Sequence, residues 1–379
     1  MRIVQVSSWF HPHLGGVESH VYSISSELAR RGHEVEVLTS RHKKDLPASE
    51  MMDGFRVTRL KPAATLLRTP VIPRIKAALR ERKADVFQSH SPPPLSAYYT
   101  SKVAVEKNVP FVLTYHCDIE VPGVFGLVIE EIYRRTMGVG TMKRASKIVV
   151  TTETYAATSR AIWNYTPVVI PNPVDFEYFR PDVDGSSVRK ELGISSDAGL
   201  VLWVGRVVPH KGIEYLVEAA QHVEKAKFLI GGEGPHLAAI RRVARSFDVE
   251  DRVIFSGRLP RSELPKYYAA SDVFVLPSVS RLEAFGIVAL EAMSSGKPVV
   301  VADMPGVREV VENGVEGLLC EPMNAEDLAE KISVLLDDPE LRNRMGVAGR
   351  KKVTEKFGIK SVVDSLESVY REVTSTGQT

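Results

Sequence analysis

Two glutamates, eight positions apart, give the stretch Ser280–Asp303 its chemical character. Glu283 precedes Gly286, and Glu291 lies inside a segment, 287–295, whose spacing predicts a helix beginning after that glycine. The first amides of a helix have no intrahelical acceptor and carry partial positive charge, so they can bind an anion such as a diphosphate. A carboxylate repels phosphate but accepts hydrogen bonds from paired hydroxyls. The two acids therefore suggest a site for sugar rings on either side of a diphosphate.

Each residue near this helix start is expected to have a distinct partner. We expect the amides of Gly286, Ile287 and Val288 to hold the diphosphate. Glu291 lies one turn into the helix, on the same face as Ile287, and is suited to gripping the two hydroxyls of a ribose. Glu283 is suited to a sugar beyond the diphosphate. The alternative is an acidic first turn followed by one solvated helix face.

An arginine and a lysine follow the apolar run GLVLWVG, which predicts a strand ending at Gly205. Arg206 and Lys211 stand just past the carboxyl end of that strand. Cations in this position are well placed to neutralise a diphosphate. The alternative is two solvated surface cations.

Two further candidates follow strands in the first half of the chain. Gly16, the second glycine of HPHLGGVES, allows a backbone to approach a ligand closely at a strand–helix turn, although a simple turn would also use it. His116 closes the run PFVLTYH, where a side chain would face a ligand site. A lone histidine is more often structural, and the same alternative applies to His11, His13 and His90.

Short β-branched runs alternate with helical segments along the whole chain. The predicted strands are RIVQVS, EVEVLT, FRVTRL, DVFQSH, PFVLTYH, KIVVTT, GLVLWVG, KFLIGGEG, RVIFSG, DVFVLPS, KPVVVAD and GLLCEP. This alternation indicates parallel sheets, and hence two doubly wound α/β domains at residues 1–170 and 171–357, linked near VVIPNPVD. A last helical segment, about 358–379, could cover either domain. In such sheets ligands bind beyond the carboxyl ends of the strands, and two facing domains would form a cleft.

Composition sets the broad class of the protein. The 379 residues are 44% hydrophobic and 25% charged, which is typical of a globular chain. No run predicts a signal peptide or a membrane span, and two cysteines, Cys117 and Cys320, fit a reducing cytoplasm. Asp182-Val-Asp184 stands in a predicted turn, so we assign no metal to it.

Charge is distributed unevenly along the chain. Residues 1–170 hold 23 Lys and Arg against 15 Asp and Glu, whereas residues 171–379 hold 26 against 32. The basic first half suggests an anionic partner such as a membrane surface or a phosphate-bearing molecule. We expect no nucleic acid, and the composition leaves the oligomeric state open.

Several motifs taken together resemble a known enzyme family. GGVES, TYH, IPNPVD, VGRVVPHKG, LIGGEGP and EAFGIVALEA follow one another in this order across nearly the whole chain. They are similar to the retaining glycosyltransferases of family four. The resemblance implies a GT-B fold, in which two Rossmann-like domains face each other across a cleft, with a nucleotide sugar as donor and no cofactor or metal.

The resemblance also implies roles for individual residues. Glu283 would contact the transferred sugar, Glu291 the ribose, and Arg206 and Lys211 the diphosphate. The remaining matched residues would lie around the donor, and they are Gly16, His116, Arg258, Leu259, Phe285, Gly286, Ile287 and Val288. The final helix would cross back onto the N-terminal domain. Two departures are Pro171-Asn172-Pro173, where many relatives have PNG, and Asp118, which leaves a role for that acid open.

Within the family, GGVESHVYSIS and QSHS resemble the subunit that transfers N-acetylglucosamine to phosphatidylinositol at the start of GPI-anchor synthesis. This implies UDP-GlcNAc or UDP-glucose, with GDP-mannose as another candidate, and a lipid or lipid-linked acceptor. Two segments that mix basic and apolar residues, Arg59–Lys83 and Val121–Arg144, suit contact with an anionic lipid surface. We therefore expect a cytoplasmic protein that can associate peripherally with the membrane.

Other functions remain open from the sequence. A glycosyl phosphorylase or glycogen-synthase-like enzyme would share the fold, although 379 residues is short for that group. A nucleotide-sugar epimerase would need no acceptor, and a transferase could use a soluble acceptor. A non-catalytic nucleotide-sugar binder would not require the intact acidic and basic pairs.

Overall fold

The computed structural model of the protein describes residues 1–13, 15–67, 69–121, 123–195 and 197–376. Within these residues the chain divides into two compact units. The first contains Met1–Pro173 and the C-terminal segment that begins at Ile359, and the second contains Val174–Gly358. Each unit is built on its own parallel sheet.

The sheet of the first unit has eight strands among the described residues. The strands of this unit are β1 (Arg2–Val6), β2 (Glu34–Ser40), β3 (Ser49–Met52), β4 (Phe55–Leu60), β5 (Ala64–Leu66), β6 (Thr69–Val71), β7 (Val86–Ser91), β8 (Phe111–Tyr115), β9 (Lys147–Val150) and β10 (Val168–Val169). The order in the sheet is β10-β9-β8-β7-β1-β2-β4-β3, with β3 antiparallel to β4 and the other pairs parallel. The short strands β5 and β6 form a separate antiparallel hairpin.

The second unit has a six-stranded sheet with the order β13-β12-β11-β14-β15-β16. Its strands are β11 (Gly199–Val204), β12 (Ala226–Gly231), β13 (Val253–Gly257), β14 (Val273–Leu276), β15 (Val299–Ala302) and β16 (Gly317–Cys320). Every pair is parallel. This order reverses direction between β11 and β14, as in a doubly wound dinucleotide-binding sheet.

Helices connect the strands in both units. In chain order they are α1 (Gly16–Arg30), α2 (Ile75–Glu81), α3 (Pro94–Lys107), α4 (Gly126–Tyr133), α5 (Val139–Arg144), α6 (Glu153–Thr158), α7 (Ser186–Glu191), α8 (Ile213–Ala219), α9 (Leu237–Ser246), α10 (Leu264–Ala270), α11 (Ile287–Ser294), α12 (Val307–Val310), α13 (Ala325–Asp337), α14 (Pro339–Lys356) and α15 (Ile359–Thr376). A π-helical turn, Arg134–Gly138, joins α4 to α5.

Successive side chains of a strand alternate between the two faces of its sheet and form an apolar core on each face. In β11, Val201 and Trp203 pack into one apolar cluster while Leu200 and Leu202 pack into another, because successive side chains point to opposite faces of the sheet. Burial on both faces explains why these strands are continuous apolar runs. In the first unit, α15 packs against α1, and its residues Val362, Val363 and Leu366 share a cluster with Val21 and Leu28 of α1.

Every strand predicted from the sequence is present, and the predicted doubly wound parallel-sheet class is confirmed. The short strands β3, β5, β6 and β10 were not predicted. Strands β5 and β10 hold three and two residues, too few to show a period. The helix predicted at 287–295 is α11, which ends at Ser294.

Two positions in these sheets favour ligand binding. Strand order reverses between β1 and β7 in the first sheet and between β11 and β14 in the second. Connections on the two sides of such a point lead away from each other, which leaves a crevice at the carboxyl ends of the strands. Most candidate residues from the sequence follow these strands or their immediate neighbours, whereas Arg258 and Leu259 follow β13, two strands from β11.

Candidate functional site

The crevice of the second unit brings together the predicted lysine and the first predicted glutamate. Lys211 ends the short 3-10 turn Pro209–Lys211 that follows β11, and Glu283 lies in the loop after β14. The Lys211 ammonium and a Glu283 carboxylate oxygen form an ion pair, with 17% and 12% of the two side chains exposed. The Ser278 hydroxyl lies 3.5 Å from the same carboxylate oxygen. Residues 72 positions apart in sequence thus meet because their strands are neighbours.

A glycine and a backbone hydrogen bond hold these two loops together. Gly212 adopts φ +62°, and a Cβ atom there would lie 2.1 Å from the carbonyl oxygen of Pro277. Only glycine fits this close approach and this left-handed conformation. The Val279 amide donates a hydrogen bond to the His210 carbonyl at 3.0 Å. The loop after β11 is therefore fixed against the loop after β14, which positions Lys211.

The start of α11 completes this crevice. Gly286 adopts φ +85°, and a Cβ atom there would approach Leu276 to 2.8 Å, so the turn into the helix requires glycine. Phe285 is buried and contacts Phe357 edge to face, with ring centroids 6.0 Å apart. Ile287 and Val288 are half-buried at the first helical positions. The glycine turn thus directs the first amides of α11 toward the carboxyl end of β14.

Glu291 has a partner that the sequence did not reveal. Glu291 is 8% exposed, and its carboxylate accepts a hydrogen bond from the Tyr268 hydroxyl of α10 at 2.8 Å. Burial raises the pKa of Glu291, while the Tyr268 hydrogen bond and the charge of Arg261 oppose the rise. Burial and the nearby carboxylate raise the pKa of Tyr268 well above its ordinary value. Glu291 therefore sits in a low-polarity pocket where a further hydrogen-bond donor would stabilise its charged form.

The remaining predicted residues of the second unit lie along the same edge of the sheet. Arg206 is exposed immediately after β11, and Arg258 is exposed after β13. Leu259 is half-buried, and a Cβ atom on Gly231 would lie 2.5 Å from its side chain, so Leu259 covers the end of β12. These positions extend the crevice from α11 across β11 to β12 and β13.

The first unit places a cluster of three histidines at its own crevice. His90 is the penultimate residue of β7, His116 follows β8, and His20 lies on α1, four residues after Gly16. The His90 and His116 rings stack with centroids 5.3 Å apart, and the His20 ring meets His116 edge-on at 4.9 Å. Sequence reasoning singled out Gly16 and His116, treated His90 as structural and missed His20. Gly16 is exposed as the first residue of α1.

Burial lowers the pKa of each histidine in the cluster and so favours its uncharged form. Desolvation lowers the pKa of His20 to about 4, although the Asn172 side chain opposes it. Burial also lowers the pKa of His90 and of His116 well below the ordinary value, with the neighbouring histidines adding to the effect. One nitrogen from each ring lies within 4.8 Å of the others, so among the described residues this cluster is the candidate for holding a metal ion. A hydrogen bond of 3.1 Å between His90 Nδ1 and His116 Nε2 already occupies one nitrogen of each of these two rings.

These arrangements favour particular chemistry. The second unit offers a cation, a helix start and two carboxylates at one edge, which suits a diphosphate flanked by hydroxyl-bearing rings. The first unit offers a neutral imidazole that can donate or accept a hydrogen bond without carrying charge.

Comparison with known proteins identifies the family of the chain. Residues 14–178 match the family described as Glycosyltransferase Family 4, and residues 186–352 match Glycosyl transferases group 1. A D-inositol 3-phosphate glycosyltransferase of Geodermatophilus obscurus is 30% identical over 390 residues, covering 94% of this chain and 84% of the relative. A GDP-mannose-dependent alpha-(1-6)-phosphatidylinositol monomannoside mannosyltransferase of Mycobacterium tuberculosis is 27% identical and covers 94% of each chain.

A solved structure shares the fold across both units. The Anabaena protein HepE, in complex with UDP-glucose, has a TM-score of 0.78 with 20% sequence identity, covering 98% of this chain and 100% of the other. The predicted GT-B fold is thereby confirmed. On the family match and the homologous relatives, this chain belongs to the glycosyltransferases of family four, which transfer a sugar from a nucleotide-sugar donor.

Proposed function

We propose that this enzyme transfers a sugar from a UDP-sugar to an acceptor hydroxyl with retention of the anomeric configuration. UDP-GlcNAc and UDP-glucose are the favoured donors, and GDP-mannose is the second candidate. The observation that carries the proposal is the crevice at the β11–β14 switch point, where Lys211, Glu283 and the start of α11 meet. The UDP-glucose complex of the Anabaena protein supports a uridine nucleotide as part of the donor. The name of the mycobacterial relative is the reason to retain GDP-mannose as the second candidate.

The donor roles follow from chemistry along this crevice. Lys211 and Arg206 stabilise the diphosphate, together with the amides of Gly286, Ile287 and Val288. Glu291 accepts the ribose hydroxyls, and Glu283 contacts the transferred sugar. Arg258 and Leu259 flank the base, and Phe285 supports the turn. In this proposal residues 171–357 bind the donor, and residues 1–170 with the last helix, 358–379, bind the acceptor.

The proposed reaction needs neither a metal nor a protein nucleophile. Cleavage of the bond between the anomeric carbon and the phosphate oxygen leaves positive charge on the sugar and negative charge on the diphosphate. Fixed cations and helix amides stabilise that leaving group. The acceptor oxygen forms its bond to the anomeric carbon on the face that the phosphate leaves, and a phosphate oxygen takes the acceptor proton. His116, Glu283 and Gly16 position the sugar and diphosphate during this step.

We further propose an acceptor that carries an inositol phosphate head group on a lipid. Both relatives described above act, by name, on inositol phosphate compounds, one soluble and one lipid-linked. The resemblance of the N-terminal motifs to a phosphatidylinositol-modifying subunit points the same way. A lipid-linked substrate requires a surface that meets the membrane, and the first unit offers a candidate.

That candidate surface, called here the α4 apolar face, contains six large apolar side chains that are exposed to solvent. They are Val124 (92% exposed), Phe125 (75%), Leu127 (68%), Val128 (55%), Ile129 (41%) and Ile132 (60%). A contiguous exposed stretch of this kind is typical of a membrane or partner contact. None of the described helices combines the length and apolar content needed to cross a bilayer.

Basic side chains lie on neighbouring helices of the same unit. Lys102 of α3 and Arg144 of α5 lie over the ring of Tyr98, with Lys102 Nζ 4.7 Å and Arg144 Cζ 6.0 Å from its centroid, and the charge of Lys76 of α2 acts on the same phenol. Lys102 lowers the pKa of the Tyr98 phenol through a hydrogen bond, and the other two cations add to this effect. We call this group the Tyr98 basic cluster. Its helix α3 contacts α2, α5 and the π-helical turn that follows α4.

The structure corrects part of the basic surface suggested by the sequence. Arg59 is buried and pairs with Glu50, so it cannot face a membrane. Arg80 and Arg82 also have acidic partners, Glu106 and Glu36. Arg74 is exposed as expected, and Arg68 lies outside the described residues. Lys76 of that stretch belongs to the Tyr98 basic cluster, and Lys61 and Lys83 are exposed.

One assay separates this function from its alternatives. The purified enzyme is incubated with UDP-, GDP- and ADP-sugars, alone and with phosphatidylinositol vesicles or soluble inositol 3-phosphate. We expect release of UDP that depends on the lipid, with a product whose anomeric configuration matches the donor by NMR. Release with inositol 3-phosphate alone would indicate a soluble acceptor, and formation of the epimeric sugar without any acceptor or glycoside would indicate an epimerase. An inverted product would refute the proposed mechanism.

A further inference from the structure

His90 lies between two polar side chains at the carboxyl end of β7. One ring nitrogen, Nε2, is 2.9 Å from the carbonyl oxygen Oε1 of Gln5, and the other, Nδ1, is 3.1 Å from Nε2 of His116. His90 is 1% exposed, whereas His116 is 8% exposed. Of the two histidines, His116 is therefore the one that can contact a ligand. His90 lies deeper in the protein and is hydrogen-bonded to His116.

The direction of these hydrogen bonds follows from a chain of side-chain amides. The Gln5 amide nitrogen donates to Gln88 Oε1 at 2.9 Å, and the Gln88 amide nitrogen donates to the Thr114 hydroxyl at 2.6 Å. The Tyr370 hydroxyl of α15 also donates to Gln88 Oε1. Because its nitrogen is committed to Gln88, Gln5 presents its carbonyl oxygen to His90, and a carbonyl oxygen only accepts. His90 must therefore carry its proton on Nε2.

The proton on His90 Nε2 determines the arrangement at the next ring. A neutral imidazole with a proton on Nε2 has a lone pair on Nδ1. His116 must then donate its own Nε2 proton to His90 Nδ1, since one of the two facing nitrogens has to be the donor. This leaves His116 with a lone pair on Nδ1.

We propose that His90 is a positioning residue that, together with Gln5, fixes the tautomer and ring orientation of His116, so that His116 offers Nδ1 as an acceptor for a substrate hydroxyl. The importance of this tautomer for turnover rests on the role proposed above for His116. The tautomer itself does not depend on that role. An imidazole held in one tautomer by a buried hydrogen-bond chain avoids the reorganisation that a free ring would undergo when substrate binds.

The same three histidines could instead hold a metal ion, because their nitrogens lie within 4.8 Å of one another. A metal would take the lone pair of His90 Nδ1 and the facing nitrogen of His116, and it would break the hydrogen bond between them. The two arrangements are therefore mutually exclusive and can be distinguished by experiment.

NMR of histidine-labelled protein reads the tautomer directly, because the protonated and unprotonated ring nitrogens have different chemical shifts. The chain has ten histidines, and a His116→Ala sample identifies the His116 signals. We expect His116 to carry its proton on Nε2 in the wild type and to become a mixture of tautomers in His90→Phe and in Gln5→Met. His90→Asn, whose side-chain oxygen can occupy the place of Nδ1, should retain the wild-type tautomer.

Three results would overturn the assignment. They are a wild-type His116 with its proton on Nδ1, a His90→Phe spectrum in which His116 is unchanged, and binding of one equivalent of Zn²⁺ that requires His90. Melting temperatures show whether each variant is folded, and Gln5→Met replaces His90→Phe if the latter is not. A proton on Nδ1 would mean that both glutamine amides are reversed along the chain.

Kinetics then tests the link to turnover. With a donor and acceptor from the assay above, we expect His90→Phe to lower kcat about 10- to 100-fold with little change in KM for the nucleotide sugar, as for a misplaced contact. His90→Asn should recover most of kcat. If the tautomer changes as expected but His90→Phe keeps wild-type kcat, the positioning is confirmed and the proposed role of His116 is refuted.

Discussion

Lys211 and Glu283 form a partly buried ion pair between the loops that follow β11 and β14. The lysine proposed to bind diphosphate is therefore neutralised in this arrangement by the glutamate proposed to bind the sugar. A diphosphate that approaches this lysine competes with the carboxylate for its hydrogen bonds. The pair thus couples donor binding to the position of Glu283, which would be released toward the sugar as the nucleotide binds.

The first prediction concerns the two halves of this pair. Lys211→Ala should weaken UDP binding by about 2 kcal/mol, because a hydrogen bond to a charged group is lost. Glu283→Gln should strengthen UDP binding roughly five-fold, because the competing charge is removed, while turnover falls. Isothermal titration calorimetry with UDP measures the first two effects, and the donor assay measures the third.

The matched control for this pair is Lys225→Ala, an exposed cation of the second unit that has no role in the proposed donor site, and it should leave UDP binding unchanged. The double variant Lys211→Ala/Glu283→Gln should bind UDP no better than Lys211→Ala alone, because the gain from removing Glu283 requires the lysine. If Glu283→Gln weakened UDP binding as much as Lys211→Ala does, the competition would be disproved.

The second prediction concerns the pH dependence of nucleotide binding. Burial raises the pKa of Glu291, whereas hydroxyls that donate to it favour its charged form. Affinity for UDP should therefore fall as pH decreases through this raised pKa. Tyr268→Phe removes a hydrogen bond that favours the carboxylate, so the loss of affinity should begin at higher pH. Calorimetry from acid to neutral pH tests both shifts.

Glu291→Gln serves as the control because it cannot titrate, and any pH dependence it retains belongs to UDP and other groups.

The stability of Glu291→Gln can also be predicted. A carboxyl with a raised folded-state pKa contributes stability below its unfolded pKa, and this contribution is lost as pH rises through the folded-state pKa. At neutral pH, Glu291→Gln should therefore raise the free energy of unfolding by about 1 kcal/mol while weakening UDP binding. A destabilised variant would contradict this account.

The third prediction concerns metal independence. If fixed cations and the start of α11 stabilise the leaving group, turnover should persist in EDTA, and Arg206→Ala should lower it by about 2 kcal/mol of activation free energy. The assay compares EDTA-treated enzyme before and after Mg²⁺ or Mn²⁺ is added back. Abolished activity that the metal restores would refute the proposed mechanism.

Sequence patterns predicted most of the fold, because strands buried on both faces must be continuous apolar runs. The ion pair between Lys211 and Glu283 was within reach of the same reasoning. Once the strand order is assumed to reverse between β11 and β14, residues that follow these strands must be neighbours. The sequence assigned both residues to one ligand but did not pair them.

Other contacts could not be predicted, because they depend on how helices lie over the sheet. Nothing in the spacing of α10 indicates that Tyr268 would bind Glu291. His20 lies near the start of α1, the helix that follows β1, and only the folded structure shows that its ring contacts His116. Arg59 stands in a basic stretch that suggested an exposed surface, yet it lies on β4 and pairs with Glu50 of the antiparallel β3, a strand the sequence did not reveal.

The fourth prediction concerns the membrane surface of the first unit. Apolar side chains on the α4 apolar face can insert among lipid acyl chains, and each well-placed cation of the Tyr98 basic cluster adds about 1 kcal/mol on an anionic surface. In flotation assays the enzyme should bind vesicles containing phosphatidylinositol or phosphatidylserine more strongly than neutral vesicles. Binding to the anionic vesicles should weaken with salt, because salt screens the charges.

Two sets of variants separate the apolar from the ionic contribution. Phe125→Ser/Leu127→Ser/Ile132→Ser should abolish flotation with both kinds of vesicle, whereas Lys76→Gln/Lys102→Gln/Arg144→Gln should remove only the preference for anionic lipid. The matched controls change exposed residues of the second unit and should leave flotation unchanged. The apolar control is Val315→Ser/Val334→Ser/Val347→Ser, and the basic control is Lys225→Gln/Arg344→Gln/Lys351→Gln. If the wild type stays unbound with anionic vesicles at low salt, the α4 apolar face does not meet a membrane and a soluble acceptor becomes the better proposal. If the control variants lose binding equally, the contact is non-specific and the first unit has no dedicated membrane surface.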